Sequence, residues 1–172
     1  DAVHNGISMV SEDRKRYGIV VDKTVAENST MASLESFMSG LFIDKKKENQ
    51  IAQQYVETLK TETPSVDQLV VNLSGGNQQK VVIAKWLVRN CDILIFDEPT
   101  RGIDVGAKSE IYQLMNELVA EGKSIIMISS EMTEILRMSD RIVVMCEGRK
   151  TGELDIAEAT QERIMHAATL RD

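Results

Sequence analysis

Three short apolar runs punctuate the chain: Ile93-Leu94-Ile95-Phe96, Ile125-Ile126-Met127-Ile128 and Ile142-Val143-Val144-Met145. Each is continuous rather than alternating, which predicts core strands buried on both faces. Gly6-Ile7-Ser8-Met9-Val10 adds a strand-like segment near the start. Between the first two runs, over residues 107–121, Ile111, Leu114, Met115 and Leu118 recur at helical spacing, and Gly122 supplies a stop. Strand, helix and strand within ~30 residues make a βαβ unit, and hence a parallel sheet.

Residues 25–90 have another character. Ile51, Tyr55, Val56 and Leu59 share one helical face, followed by a turn-forming Glu62-Thr63-Pro64-Ser65. This predicts a helical insert, with Lys45-Lys46-Lys47 as a solvated face at its exposed end. Towards the C-terminus, Glu147-Gly148-Arg149 fits a tight turn into Lys150-Thr151-Gly152-Glu153-Leu154, and residues 161–170 suggest a closing helix. The chain thus divides into residues 1–24, 25–90 and 91–172, with no internal repeat.

A length of 172 residues with 42% hydrophobic composition suffices to bury one real core. The net charge of −7 argues against a nucleic-acid partner, because neutralising phosphates needs clustered surplus Lys and Arg. Cys91 and Cys146 have no paired spacing and sit beside apolar runs, so both read as buried free thiols in a reducing compartment. His4 and His166 have no second ligand at metal spacing and read as surface residues. No apolar run approaches the ~20 residues of a membrane helix, and the first residues lack the pattern of a signal peptide. The expectation is a soluble, cytoplasmic chain that, beginning at Asp1 directly before a strand, is cut from something longer.

Two segments carry chemistry. Asp92-Ile93-Leu94-Ile95-Phe96-Asp97-Glu98 is an apolar strand ending in two carboxylates, at the carboxyl edge of a parallel sheet where ligands of such folds bind. In this Walker B pattern Asp97 would face Mg²⁺, usually through its waters, while Glu98 would polarise an attacking water. The plain alternative is two acids that start a loop. Leu73-Ser74-Gly75-Gly76-Asn77-Gln78-Gln79-Lys80 leads into a helix striped with Val81, Ala84, Lys85 and Val88. Paired glycines let backbone approach a phosphate, Ser74 offers a hydroxyl, and the helix N-terminus faces an anion with free N–H groups. The alternative is a Ser N-cap after a flexible turn.

Taken together, Leu-Ser-Gly-Gly-Asn-Gln followed by Asp-Glu-Pro-Thr resembles the signature and Walker B pair of the ATP-binding cassette (ABC) ATPases. Arg101-Gly102-Ile103-Asp104 looks like their D-loop, and residues 18–28 resemble the stretch after their Q-loop. Asn-Gln-Gln-Lys after the signature and Thr-Arg-Gly-Ile-Asp-Val-Gly-Ala-Lys after Walker B are similar to the monosaccharide-import ATPases. Ser11-Glu12-Asp13-Arg14-Lys15-Arg16 resembles the second half of their fused, two-cassette polypeptides. The fold implied is an α/β, P-loop NTPase-type nucleotide-binding domain, a parallel core sheet with an inserted helical subdomain.

The resemblance implies ATP and Mg²⁺ as cofactors and a catalytic role for Glu98. It implies nucleotide contacts at Ser74, Gly75, Gly76, Asn77, Gln78, Asp104 and Ser130, and metal contacts at Asp97 and Glu12. The implied partners are the other cassette of the same polypeptide, transmembrane permease subunits and, indirectly, a periplasmic sugar-binding protein. Their setting would be the inner face of a bacterial membrane. Departures from the pattern matter here. Glu12 falls where a Q-loop glutamine belongs, and Ser130 where the switch histidine belongs, so this cassette's own site is expected to be the weaker of two. The Walker A motif, G-x-x-x-x-G-K-[ST], is absent, and its nearest echo, Gly122-Lys123-Ser124, ends a helix and opens a strand, the reverse of the required order. Without that cradle the chain alone is expected to bind ATP poorly. Rival readings are a soluble ABC ATPase acting in translation or DNA maintenance, and a non-hydrolysing regulatory cassette.

Overall fold

The computed structural model describes residues 1–170 and falls into two units, Asp1–Ile128 and Ser129–Asp172. The division lies inside the third expected segment, after the second apolar run.

In the first unit the elements follow in the order β1 (Ile7–Val10), α1 (Val25–Thr30), β2 (Met38–Ser39), β3 (Phe42–Ile43), α2 (Lys45–Thr58), α3 (Gly75–Arg89), β4 (Ile93–Asp97), α4 (Val105–Ala120) and β5 (Ser124–Ile128). A π-helical turn, Arg14–Gly18, and a 3-10 segment, Met31–Phe37, flank α1. Strands β1, β4 and β5 form the expected parallel sheet in the order β1-β4-β5, with Met9, Ile95 and Ile126 in one cross-strand row. Helices α3 and α4 pack against it. Val10, Leu94 and Phe96 are almost fully buried on the same side of the pleat, joined in the core by Val81, Val82, Ile111 and Met115. Side chains alternate across a strand, and the other face, with Met9, Ile126 and Ile128, is about half exposed. The strands are therefore buried on one face, not on both. Continuous apolar runs do not distinguish the two cases when the open face is itself apolar.

The helical insert is anchored by buried polar groups. Thr24 and Glu27 form a reciprocal capping box at the start of α1, with Thr24 Oγ1 accepting from the Glu27 N–H at 3.1 Å. The bond from the Thr24 N–H to the Glu27 carboxylate leads the effects that hold its pKa below the usual value, helped by Lys23 and Lys45. On α2 the buried carboxylate of Glu48 accepts from Thr30 Oγ1 at 2.8 Å and from Lys45 Nζ at 2.7 Å. Lys45 is thus partly committed inward. Lys47 donates to the Ser36 carbonyl, and Lys46 remains exposed on the solvated face.

The second unit contains α5 (Met132–Met138), β6 (Arg141–Cys146), β7 (Arg149–Asp155) and α6 (Gln161–Ala168). The third apolar run forms the expected strand, in an antiparallel hairpin with β7 and in a sheet separate from β1-β4-β5, but it is buried on one face rather than two. Ile142 and Val144 face a small core with Ile164 and Ala167, whereas Val143 and Met145 are exposed. The turn that makes the hairpin was legible, since Glu147 and Gly148 both adopt positive φ, at 49° and 78°. Cys91 is buried as expected, whereas Cys146, at the end of β6, is only half-buried, and both are free thiols.

Candidate nucleotide site

Strand β4 delivers the two acids. Asp97 is its last residue and pairs in register with Ile128, and the Glu98 N–H then donates to the Ile128 carbonyl at 2.8 Å. The Arg101 N–H closes back on the Glu98 carbonyl at 3.1 Å, making a tight turn. Glu98 has φ of +46°, uncommon for a residue with a Cβ, and such strained positions concentrate at functional sites. Thr100 and Ile103 are buried beneath the turn, and Asp104 then caps α4, accepting from the Ala107 N–H at 3.0 Å. The Asp104 carboxylate thereby has a structural task.

The signature turn is equally well tied. Exposed Ser74 is the N-cap of α3, its Oγ accepting from Asn77 Nδ2 at 3.0 Å and, more weakly, from the Asn77 N–H at 3.4 Å. Asn77 Oδ1 accepts from the Glu62 N–H at 2.9 Å. Gln78 Nε2 donates to the carbonyls of Val70 and Leu73 at 3.1 and 3.3 Å. Asn77 and Gln78 are both buried and brace the turn from behind. Gly76 is required by packing, since a Cβ there would come within 2.9 Å of Ala107 Cβ on α4. A Cβ on Gly75 would lie 3.5 Å from the Gly102 carbonyl oxygen, so the opening of α3 and the loop after β4 are neighbours.

The carboxylate of Glu12 forms an ion pair with Arg101. Ser130, exposed, belongs to the second unit, next to Ser129, whose hydroxyl bonds Glu134. Gly122-Lys123-Ser124 behaves as the sequence order predicts: it follows α4, Ser124 opens β5, and Lys123 Nζ is occupied by Asn90 Oδ1 at 2.9 Å and Asp92 at 3.4 Å. His4 and His166 are exposed, and no cluster of three or more His, Cys, Asp or Glu that could cage a metal exists among the described residues. Sequence reading missed Arg14, which reaches Gln78 and the Arg101 carbonyl, and the buried Lys85. Arg14 entered that reading only within the run Ser11-Glu12-Asp13-Arg14-Lys15-Arg16, and Lys85 only as a stripe position of α3.

Residues 1–101 match the family model described as ABC transporter. The chain belongs to that family. A putative ribose/galactose/methyl galactoside import ATP-binding protein of Burkholderia ambifaria is 61% identical over the whole chain, which covers 34% of that protein. The ribose import ATP-binding protein of Rhodopirellula baltica is 50% identical over 99% of the chain, again 34% of its length. The chain thus spans about a third of the curated relatives it matches. Among solved structures, a nucleotide-free ATP-binding cassette from an ABC transporter superposes with a TM-score of 0.75 at 25% identity, over 96% of this chain and 65% of that one. A dimeric ATP-binding cassette bound to ADP and phosphate gives 0.71 at 23% identity, over 87% of this chain and 62% of its own, and supports the ABC fold. In this family member no helix among the described residues is long and apolar enough to cross a membrane.

Proposed function

We propose that this chain is part of an ATP-hydrolysing cassette that energises a bacterial importer of a monosaccharide. The observation that carries the reading is the meeting of the signature turn, residues 74–76, with the loop that follows Asp97 and Glu98, in a chain of this family. The import function named for the relatives supports the sugar.

In this reading the backbone N–H groups of the α3 N-terminus, with Ser74, serve a phosphate held by a partner cassette of the same polypeptide. Asp97 and Glu98 serve this cassette's own nucleotide. Mg²⁺ characteristically takes one or two carboxylates plus phosphate oxygens and water rather than a protein cage, so Asp97 beside Glu98 fits it, and the ion would neutralise phosphate charge. Glu98 holds the water to be deprotonated. A metal role for Glu12 requires its pair with Arg101 to open. Asn77 and Gln78 act by shaping the turn, and Asp104 by capping α4. Ser130 stands for the γ-phosphate contact of the switch position. Docking to permease subunits would keep the cassette on the inner face of the membrane, and a periplasmic sugar-binding protein would deliver the cargo. The chain alone, having no G-x-x-x-x-G-K loop in its sequence, should hydrolyse ATP little.

The test is ATP hydrolysis by the full-length polypeptide reconstituted with its membrane subunits, with and without ribose or galactose presented by the binding protein. Sugar-stimulated hydrolysis is expected. Hydrolysis indifferent to every monosaccharide offered would overturn the import reading, and no hydrolysis at all would overturn the ATPase reading.

A further inference from the structure

Residues 12–18 are held to their surroundings at a series of points that the roles assigned above leave unused. Glu12 pairs with Arg101 in the loop after β4. The half-buried Arg14 guanidinium forks: Nε donates to Gln78 Oε1 and Nη1 to the Arg101 backbone carbonyl, each at 3.4 Å. Its Nη2 lies over Gly75, so close that a Cβ there would approach it at 2.7 Å. Gly18, the last residue of the π-helical turn, packs on Val82, where an added Cβ would meet Cγ2 at 3.0 Å. Lys85 Nζ donates to the Gly18 carbonyl.

The α3 positions in these contacts are Gly75, Gln78, Val82 and Lys85, a spacing of three, four and three residues that defines one stripe of a helix. Residues 12–18 therefore lie as a splint along α3, and the near end of the splint crosses to the loop behind Glu98. An arginine over the first turn of a helix faces the positive end of the helix dipole, an unfavourable place for a cation. It is offset by a planar fork that reaches two carbonyl oxygens in different segments, which lysine, as a point charge, does not reproduce.

We propose that Arg14 is a positioning residue that locks the signature turn to the loop after Walker B. This inference rests on the ATPase reading, in which the signature turn faces the partner's nucleotide and Glu98 faces its own. A lock between them makes the two loops of this half move together and couples the two sites of the pair.

The test compares wild type, Arg14→Ala, Arg14→Lys, Gln78→Ala and Arg14→Ala/Gln78→Ala in the full-length polypeptide with its membrane subunits. Hydrolysis kinetics and the thermal unfolding midpoint are read together. Loss of charged hydrogen bonds that orient rather than bind predicts kcat lower by about tenfold in Arg14→Ala, with KM for Mg-ATP moving less than about twofold. Arg14→Lys recovers less than half of the loss, and the double variant loses less than the product of the two single losses, because Arg14 and Gln78 share one bond while Gln78 Nε2 separately holds the Val70 and Leu73 carbonyls. Three results overturn the inference: wild-type kcat in Arg14→Ala, full recovery by lysine, or a kcat loss that merely follows a lowered unfolding midpoint. A wild type without hydrolysis instead removes the ATPase reading beneath it.

Discussion

Asn77 Nδ2 donates to Ser74 Oγ at 3.0 Å, so the serine that opens the signature helix is held by a buried amide one turn along. The other end of that amide accepts from Glu62, tying the turn to the segment that leaves α2.

Asn77→Ala should therefore destabilise the protein by about 1–3 kcal/mol, since it takes the acceptor from the Glu62 N–H as well as losing the contact to the Ser74 hydroxyl. Ser74→Ala should cost about 1 kcal/mol, the usual worth of an N-cap. The double variant should cost less than the sum, because both changes break one bond. Urea denaturation of the four proteins measures this, and strict additivity would mean the two side chains act separately.

The motifs on either side of this bond were legible because each is a local pattern: an apolar strand ending in acids, and a serine and two glycines opening a helix. What holds those motifs in place was not. The resemblance implied nucleotide contacts at Asn77, Gln78 and Gly76, and gave no sign that their polar atoms or missing Cβ also answer to Glu62, Val70, Leu73 and Ala107, partners that come from several other segments of the chain. The run at Ile142 to Met145 is the strand expected there, and only its burial on both faces failed, for a related reason. An antiparallel ribbon with one open apolar side has the same letters as a doubly buried strand, and only the tight turn at Glu147-Gly148 distinguished it.

Lys85 gives a pH signature. Burial disfavours its charged form and lowers its pKa from the usual 10.5. Between that lowered value and 10.5 the unfolded chain binds more protons than the folded one, so the penalty, fully present at lower pH, is relieved as pH rises through this window. Compared with Lys85→Met, wild type should gain stability over that alkaline range. Parallel stability–pH curves for the two proteins would show that the amine is not desolvated in solution.

The open face of the parallel sheet predicts association of the isolated chain. Met9, Ile126 and Ile128 are 45%, 54% and 48% exposed and belong to one contiguous apolar face with Ile95. Exposed patches of this kind drive self-association in water. Sedimentation velocity should find oligomers of the chain, and Ile126→Lys with Ile128→Glu should return it to monomer. A wild-type chain that stays monomeric would mean the face is closed by some rearrangement.

The unequal-site argument can be tested by ranking two substitutions in the full-length polypeptide. Glu12 and Ser130 stand where a glutamine and a histidine are expected, so the site served by Glu98 should be the weaker one, and the competent site should be that completed by the signature turn. Ser74 is exposed, and among the described residues its hydroxyl bonds only Asn77, so Ser74→Arg adds bulk at the helix opening without disturbing the core. The loss of the cap is worth about 1 kcal/mol, too little to unfold a domain of ordinary stability. Gly76→Asp is a poorer probe, because its side chain would collide with Ala107 before it met a nucleotide. Ser74→Arg should nearly abolish hydrolysis and sugar uptake in the same vesicles. Glu98→Gln keeps the size of the side chain and should cost far less than the roughly hundredfold or more that follows removal of a working general base. Equal losses from the two substitutions would mean that Glu98 serves a fully competent site, and that the serine at position 130 does not disable it.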